Sequence, residues 1–198
     1  MTLILSTAIK FFFLFAPFFV VSMFLSLTKD ETVKGRAKIA NRAVLSAMLI
    51  ALVLMFFGDT LFAILGITLD AFRIGAGSLL FLSAVSLVSD GVRNHATGTE
   101  SMDDVAVVPL AIPTIIGPAT IGAILVIGAE LKGEQFIYGI MGMLLALLVL
   151  LVLLHLSVRV EKILGRTGLN ILSKITGLIL AAMAAQIVFT GIKSFLEL

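Results

Sequence analysis

Six stretches without a single charged side chain divide this chain: Phe11–Thr28, Ala43–Gly58, Ile74–Ser89, Val105–Ala129, Gln135–Val158 and Ile175–Ile192. A helix that crosses a bilayer needs about 17–25 predominantly apolar residues. Four of the stretches reach that length directly. The two of sixteen residues reach it when Arg42, Arg73 or Asp90 sits at the interface with its stem folded outward. Composition agrees: 60% of the 198 residues are hydrophobic and 13% charged, against about 45–50% and about 25% in soluble domains. The expected fold is therefore an all-α integral membrane protein of six transmembrane helices, spanning about 5–27, 43–66, 71–89, 105–129, 136–157 and 172–194. The first segment reads as a retained span and not a cleaved leader, since it lacks a basic start, carries Lys10 and runs past Pro17.

The net charge of +2 does not point to nucleic acid, because the cations sit at the ends of spans. The absence of cysteine excludes disulfides, thiolate metal sites and cysteine nucleophiles. There is no HExxH, no GxSxG elbow and no convincing pair of buried carboxylates, so no enzyme, cofactor or metal is expected. Orientation follows from lysine and arginine in short connections. One connection holds Lys29, Lys34, Arg36, Lys38 and Arg42, and the connection after the fifth span holds Arg159, Lys162 and Arg166. The loops around Asp59–Asp70 and Lys132 are poor in cations. The first, third and fifth connections are thus expected in the cytoplasm, with both termini on the outer face. The third, Asp90–Asp104, supports this weakly with Arg93 alone among four acids.

The two halves resemble each other. ILG at Ile64–Gly66 precedes GSLLFLSAVSLVSDG (Gly77–Gly91), and ILG at Ile163–Gly165 precedes GLILAAMAAQIVFTG (Gly177–Gly191). The offset is 99 residues at ILG, 100 at the glycines and 101 between Ala16–Pro17 and Gly117–Pro118. A repeat of three spans is odd-numbered, so its second copy must lie upside down. The expected organisation is repeat 1 over residues 1–91, a cytoplasmic linker over 92–104 and repeat 2 over 105–198. Inverted repeats with discontinuous helices at the midplane are a pattern of secondary transporters.

Helix-breakers stand inside the matching spans. Proline removes a backbone donor and its ring displaces the carbonyl four residues earlier. Broken backbone survives at membrane depth only where protein or a water-filled cavity surrounds it. Pro109 fits the first turn of the fourth span. Pro113 and Pro118 lie deeper with Gly117 between them, and Pro17 occupies the matching place in the first span. A half-helix starting near Pro118 would present amide groups and a positive dipole end to an anion such as a carboxylate. The alternative is a kink relieved by neighbouring helices.

VPLAIPTIIGPATI (Val108–Ile121), FRIGAG (Phe72–Gly77) and GLILAAMAAQIVFTGI (Gly177–Ile192) resemble signature segments of the MarC family of bacterial inner-membrane proteins. The similarity covers essentially the whole chain. It implies six spans, kinship with LysE-type amino-acid exporters and, from one branch of the family, transport of small neutral amino acids such as glycine and alanine. In that family the first span usually carries Asn-Pro or Asp-Pro followed closely by glycine. This chain has FAPFFVV (Phe15–Val21), with Ala16 in place of the amide or acid. The first repeat's half of the pocket would then be more apolar, narrowed by Phe18 and Phe19.

The candidate substrate-binding residues are Ala16, Pro17, Phe18, Pro113, Thr114, Gly117, Pro118, Ala119, Thr120, Gly75, Gly77 and Gln186. Thr114 and Thr120 flank the break and could equally bond their own helix backbone. Gln186, in MAAQIVF, either lines the pocket or bonds another helix. Gly75, Gly77 and the alanines Ala181, Ala182, Ala184 and Ala185 would let helices approach closely. Arg73 and Lys174 occupy related places in the two repeats and read as interfacial anchors, with gating as the alternative. Lys10 reads as a snorkelling cation and His155 as an interfacial residue, although its imidazole could titrate near neutrality. The expected function is secondary transport of a small neutral zwitterion, with a passive pore or a non-transporting accessory protein as alternatives. Expected partners are a small solute and membrane lipid; a coupling proton or sodium ion and a homo-oligomer are left open.

Overall fold

Proline and the residue before it decide where the first helix ends. In the computed structural model, which describes residues 2–89 and 106–197, helix α1 (Thr2–Leu14) stops two residues short of Pro17. The proline ring disfavours the α region for its predecessor, and Ala16 adopts a left-handed conformation (φ 44°, ψ 59°). Helix α2 (Pro17–Leu27) restarts at a 44° angle to α1. The carbonyls just past its end are covered by Arg36, whose Nε donates to Thr28 O (2.9 Å) and whose Nη2 donates to Lys29 O (3.0 Å).

Helix α3 (Val33–Leu65) is capped by Thr32, whose side chain accepts from Gly35 N. The cationic stretch expected to connect the first two spans is thus mostly helical, because lysine, arginine and alanine favour helix and Thr32 supplies the start. After α4 (Leu69–Ser89) comes a ten-residue π-helix, π1 (Ala106–Ile115), closed by Ile116 N donating to Ala111 O five residues back. The expected linker 92–104, with Arg93, lies outside the described residues. Helices α5 (Pro118–Glu130), α6 (Glu134–His155) and α7 (Ser157–Phe195) complete the chain. Helix α7 also runs through its cationic start, Arg159–Arg166. It kinks at Gly165, whose φ of 67° suits glycine.

Among the described residues, α3, α4, α6 and α7 are long and apolar enough to cross a membrane, and α1 with α2 makes a fifth candidate across its bend. Helix π1 and α5 are each shorter than the roughly 17 residues a single crossing needs. All the described elements are helices; there is no strand among the described residues.

The helices pair in a definite pattern: α1 with α6 and π1 with α3; α2 with α7 and α5 with α4; α3 with both α5 and α6; and α4 with α7, the most extensive pairing. Helices α4 and α7 run antiparallel. A Cβ added at Gly77 would come 2.7 Å from Val188 Cγ2 and 3.1 Å from Ala184 O. One added at Gly177 would come 2.8 Å from Val88 Cγ2 and 3.0 Å from Ala84 O. The two sets of contacts repeat at an offset of 100 residues. Gly75, two residues earlier and so on the opposite face of the helix, is exposed and has nothing within 4 Å of its Cβ position.

Lipid tails are as apolar as leucine, so close packing has to hold such a pair together. Gly77→Ala and Gly177→Ala should each lower the thermal midpoint of the protein in detergent, by about 1–3 kcal/mol of overpacking. Gly75→Ala should leave it unchanged or raise it slightly, since alanine favours helix by up to about 1 kcal/mol. Equal effects at Gly75 and Gly77 would contradict this assignment of the crossing.

Candidate functional site

The two breaks meet at one cavity of about 240 Å3. From the first break come Leu14, Ala16 and Phe19; from the second come Pro113, Thr114, Gly117, Pro118, Ala119 and Thr120. Helix α4 supplies Leu80, Ser83, Ser86 and Leu87, and α7 supplies Leu180. Ser83, Pro113 and Pro118 remain exposed, whereas Ala16, Phe19, Ala119 and Thr120 are buried. The cavity is therefore open on one side and walled on the other.

Each break places a helix start beside this space. Helices α2 and α5 both carry proline at their first helical position, and neither has a side-chain cap. Their initial turns therefore bring peptide amide dipoles to the cavity from two helices at once. Gly117 holds the second break in extended geometry (φ −82°, ψ 171°), and a Cβ there would stand 2.9 Å from Pro113 O. A backbone carbonyl cannot swing aside as a side-chain tip can, so position 117 accepts only glycine without movement of the chain. Hydroxyls of Ser83, Ser86, Thr114 and Thr120 provide the polar side chains of the lining, and no acidic or basic residue lines it among the described residues. The arrangement can hold a small, uncharged or internally balanced solute.

Seven of the sequence-derived candidates meet here: Ala16, Pro113, Thr114, Gly117, Pro118, Ala119 and Thr120. Five others stand elsewhere. Pro17 is buried behind the lining. Phe18 turns to Phe12, ring edge to face at 6.3 Å. Gly77 packs on α7, and Gly75 and Gln186 are exposed away from the cavity. Sequence reasoning missed Ser83 and Ser86. Their signal was present: two hydroxyls three residues apart in an apolar helix share a face. His155 is exposed near the end of α6, with Nδ1 2.9 Å from Leu151 O.

Residues 1–196 match the MarC family, described as integral membrane proteins. The chain belongs to the MarC family. It is 35% identical over 187 residues to the UPF0056 membrane protein MJ1677 of Methanocaldococcus jannaschii, covering 91% of both chains. It is 31% identical to the UPF0056 membrane protein YhcE of Escherichia coli over 93% of this chain and 89% of that one. It is also 29% identical to the UPF0056 inner membrane protein YhgN of the same species, covering 98% of each. No solved structure matches the chain.

For this MarC-family chain the position of Ala16 has a backbone meaning. A left-handed conformation costs a residue with a Cβ roughly 1–2 kcal/mol, and asparagine and aspartate tolerate it best after glycine. Position 16 is also the cap of α2, where an amide or carboxylate oxygen could accept an amide hydrogen that alanine cannot. The Asn-Pro or Asp-Pro implied by the family resemblance thus suits the bend itself. Ala16→Gly should stabilise the protein by up to about 1 kcal/mol through backbone relief, and Ala16→Asn by as much or more through relief plus capping. Thermal midpoints in detergent check both. A lower midpoint for Ala16→Gly would show that the bend is not strained at this residue.

Proposed function

We propose that this protein is a secondary transporter of small neutral amino acids or similar zwitterionic solutes. It works by alternating access between two inverted three-helix repeats, residues 1–91 and 105–198. In this reading α1 with α2 forms the first span and π1 with α5 the fourth, each interrupted at mid-depth. The observation that carries the reading is the convergence of both interruptions on one small cavity. Further support comes from the helix pairings: exchanging the first span for the fourth, α3 for α6 and α4 for α7 turns α1–α6 into π1–α3 and α2–α7 into α5–α4, although the close α3–α5 pairing has only a slight counterpart in α2–α6. The reciprocal contacts of Gly77 and Gly177 at an offset of 100 residues obey the same exchange.

The cavity's chemistry limits the solute. At about 240 Å3 it is smaller than the roughly 300–1,000 Å3 of sites for drug-sized ligands. Two helix starts suit a carboxylate, and the serine and threonine oxygens can accept from an ammonium group. With no ionised side chain in the lining to balance a net charge, a zwitterion fits better than a simple cation. The coupling ion, a proton or sodium, is not specified by these groups. The relative named as an inner membrane protein and the cation-rich starts of α3 and α7 support an inner-membrane location with both termini on the outer face.

The direct test offers labelled glycine, alanine and larger neutral amino acids to proteoliposomes, with and without proton or sodium gradients. Uptake of the small ones should saturate and be competed by unlabelled solute. Ser83→Leu, which fills the cavity from α4, should reduce saturable uptake at least about tenfold, as expected when a wall residue blocks a preformed site, while leaving the thermal midpoint in place. Flux that never saturates would point instead to a passive pore. Absence of flux for every solute would leave an accessory role.

A further inference from the structure

Arg73 does not behave as a lipid-facing anchor. Its side chain is only 15% exposed. Its Nε donates to Glu130 Oε1 (2.9 Å), its Nη2 lies 2.8 Å from the same oxygen, and its Nη1 pairs with Asp70. Ser194 Oγ in turn donates to Asp70 Oδ2 (2.9 Å). These four residues stand in the first two turns of α4, at the last residue of α5 and near the end of α7. One polar network ties three helix ends together at a single end of the bundle.

Close-packed layers lie between that network and the cavity. A Cβ at Gly191 would meet Asp70 O at 2.8 Å, and one at Gly122 would meet Ala76 Cβ at 2.7 Å. The Gly77 contact with Val188 completes the plug. Along α4 the cavity lining begins only at Leu80 and continues to Leu87, toward the opposite end of the helix. At 1.5 Å per residue, Leu80 is about 10 Å further along the axis than Arg73. The cavity therefore has a sealed end, and Arg73 sits beyond the seal.

The other end differs. The residue one hundred positions after Asp70 is Asn170, in the matching part of α7. Its Oδ1 is buried and has no hydrogen-bond partner among the described residues. Among the described residues, the polar group engaged at the Arg73 end thus has a counterpart whose side-chain oxygen finds no partner at the opposite one.

We propose that the network of Arg73, Glu130, Asp70 and Ser194 is the latch of one gate: it holds α4, α5 and α7 together at that end, and it must part for solute to pass there. The structure is the state latched at the Arg73 end and accessible from the end where α4 reaches Ser89. This deepens the transporter reading of the cavity and rests on it. The chemistry suits a reversible closure. A forked guanidinium fixes geometry, while partly exposed ion pairs are weak enough to exchange for water when the helices separate. A fully buried pair would make the same separation costly.

The chain contains no cysteine, so a single reporter, Ser83→Cys, reads access to the cavity. It is labelled by a membrane-impermeant maleimide in right-side-out and inside-out vesicles. Labelling should be fast from the face where α4 ends and slow from the Arg73 face. Arg73→Gln or Glu130→Gln should raise labelling from the Arg73 face about fivefold, the shift expected from losing a partly exposed ion pair. Glu130 is the safer variant for folding, being 40% exposed. Glu134→Gln, an exposed acid outside the network, should change nothing. Equal labelling from both faces in the parent, or rates unmoved by both latch variants, would overturn the proposal. Because the readout is access and not flux, the two readings can fail separately. Responsive labelling without any solute uptake would retire the transport reading and leave the latch standing.

Discussion

A peptide group freed from its helix inside a bilayer has no water to turn to, and its cost of several kcal/mol must be met by protein. This chain restarts a helix twice, at Pro17 and at Pro118, and each uncapped start leaves first-turn amides without an intrahelical acceptor. Neither break can face lipid. Both are drawn to the interior, where α2 and π1 touch each other and α4 and α7 close the surroundings. The cavity follows from that requirement: two helix starts with proline at their heads cannot pack as flat surfaces, and the space between them is lined by hydroxyls and small residues together with leucines and Phe19. The unusual sequence and the site are one consequence of one constraint.

What holds the helices around that space is shape. Burying leucine gains little when the alternative is lipid, so contact between small residues has to supply the attachment. Gly77, Ala84, Gly177 and Ala184 are all buried at the α4–α7 crossing, where backbones approach closely enough that added methyl groups would collide. Large apolar side chains such as Phe56, Phe57, Leu148 and Phe189 stay on the outside, more than half exposed. In water such a surface would drive aggregation; against acyl chains it is ordinary. The Arg73 network adds a polar fastening at one end, where water can replace its partners.

Much of this was legible beforehand, and the failures share a cause. Proline and charge act locally, so the interruptions and the limits of the apolar spans were readable residue by residue. The cationic connections were misjudged in extent because a basic helix end and a basic loop carry the same charges; only Thr32 marks where α3 starts. Gly75 and Gln186 were placed with the site because small or polar residues in apolar helices attract suspicion, yet their helix faces point away from the cavity. Ser83 and Ser86 were overlooked for the converse reason. Arg73 resembled an anchor because its partner Glu130 lies 57 residues away.

The sequence by itself determined that this is a membrane protein of the MarC family type, where its apolar spans fall, and that two of them must break. It also contained the correspondence at an offset of about one hundred residues. Those properties depend on hydrophobicity, on the missing amide hydrogen of proline and on repetition, none of which needs a neighbour. The tertiary structure alone decided which helix faces meet, that both breaks open onto one cavity, and that Arg73 ties three helix ends together. Rotation of a helix about its axis and the choice of its partner depend on packing between residues far apart in the chain, and local pattern does not encode that geometry legibly.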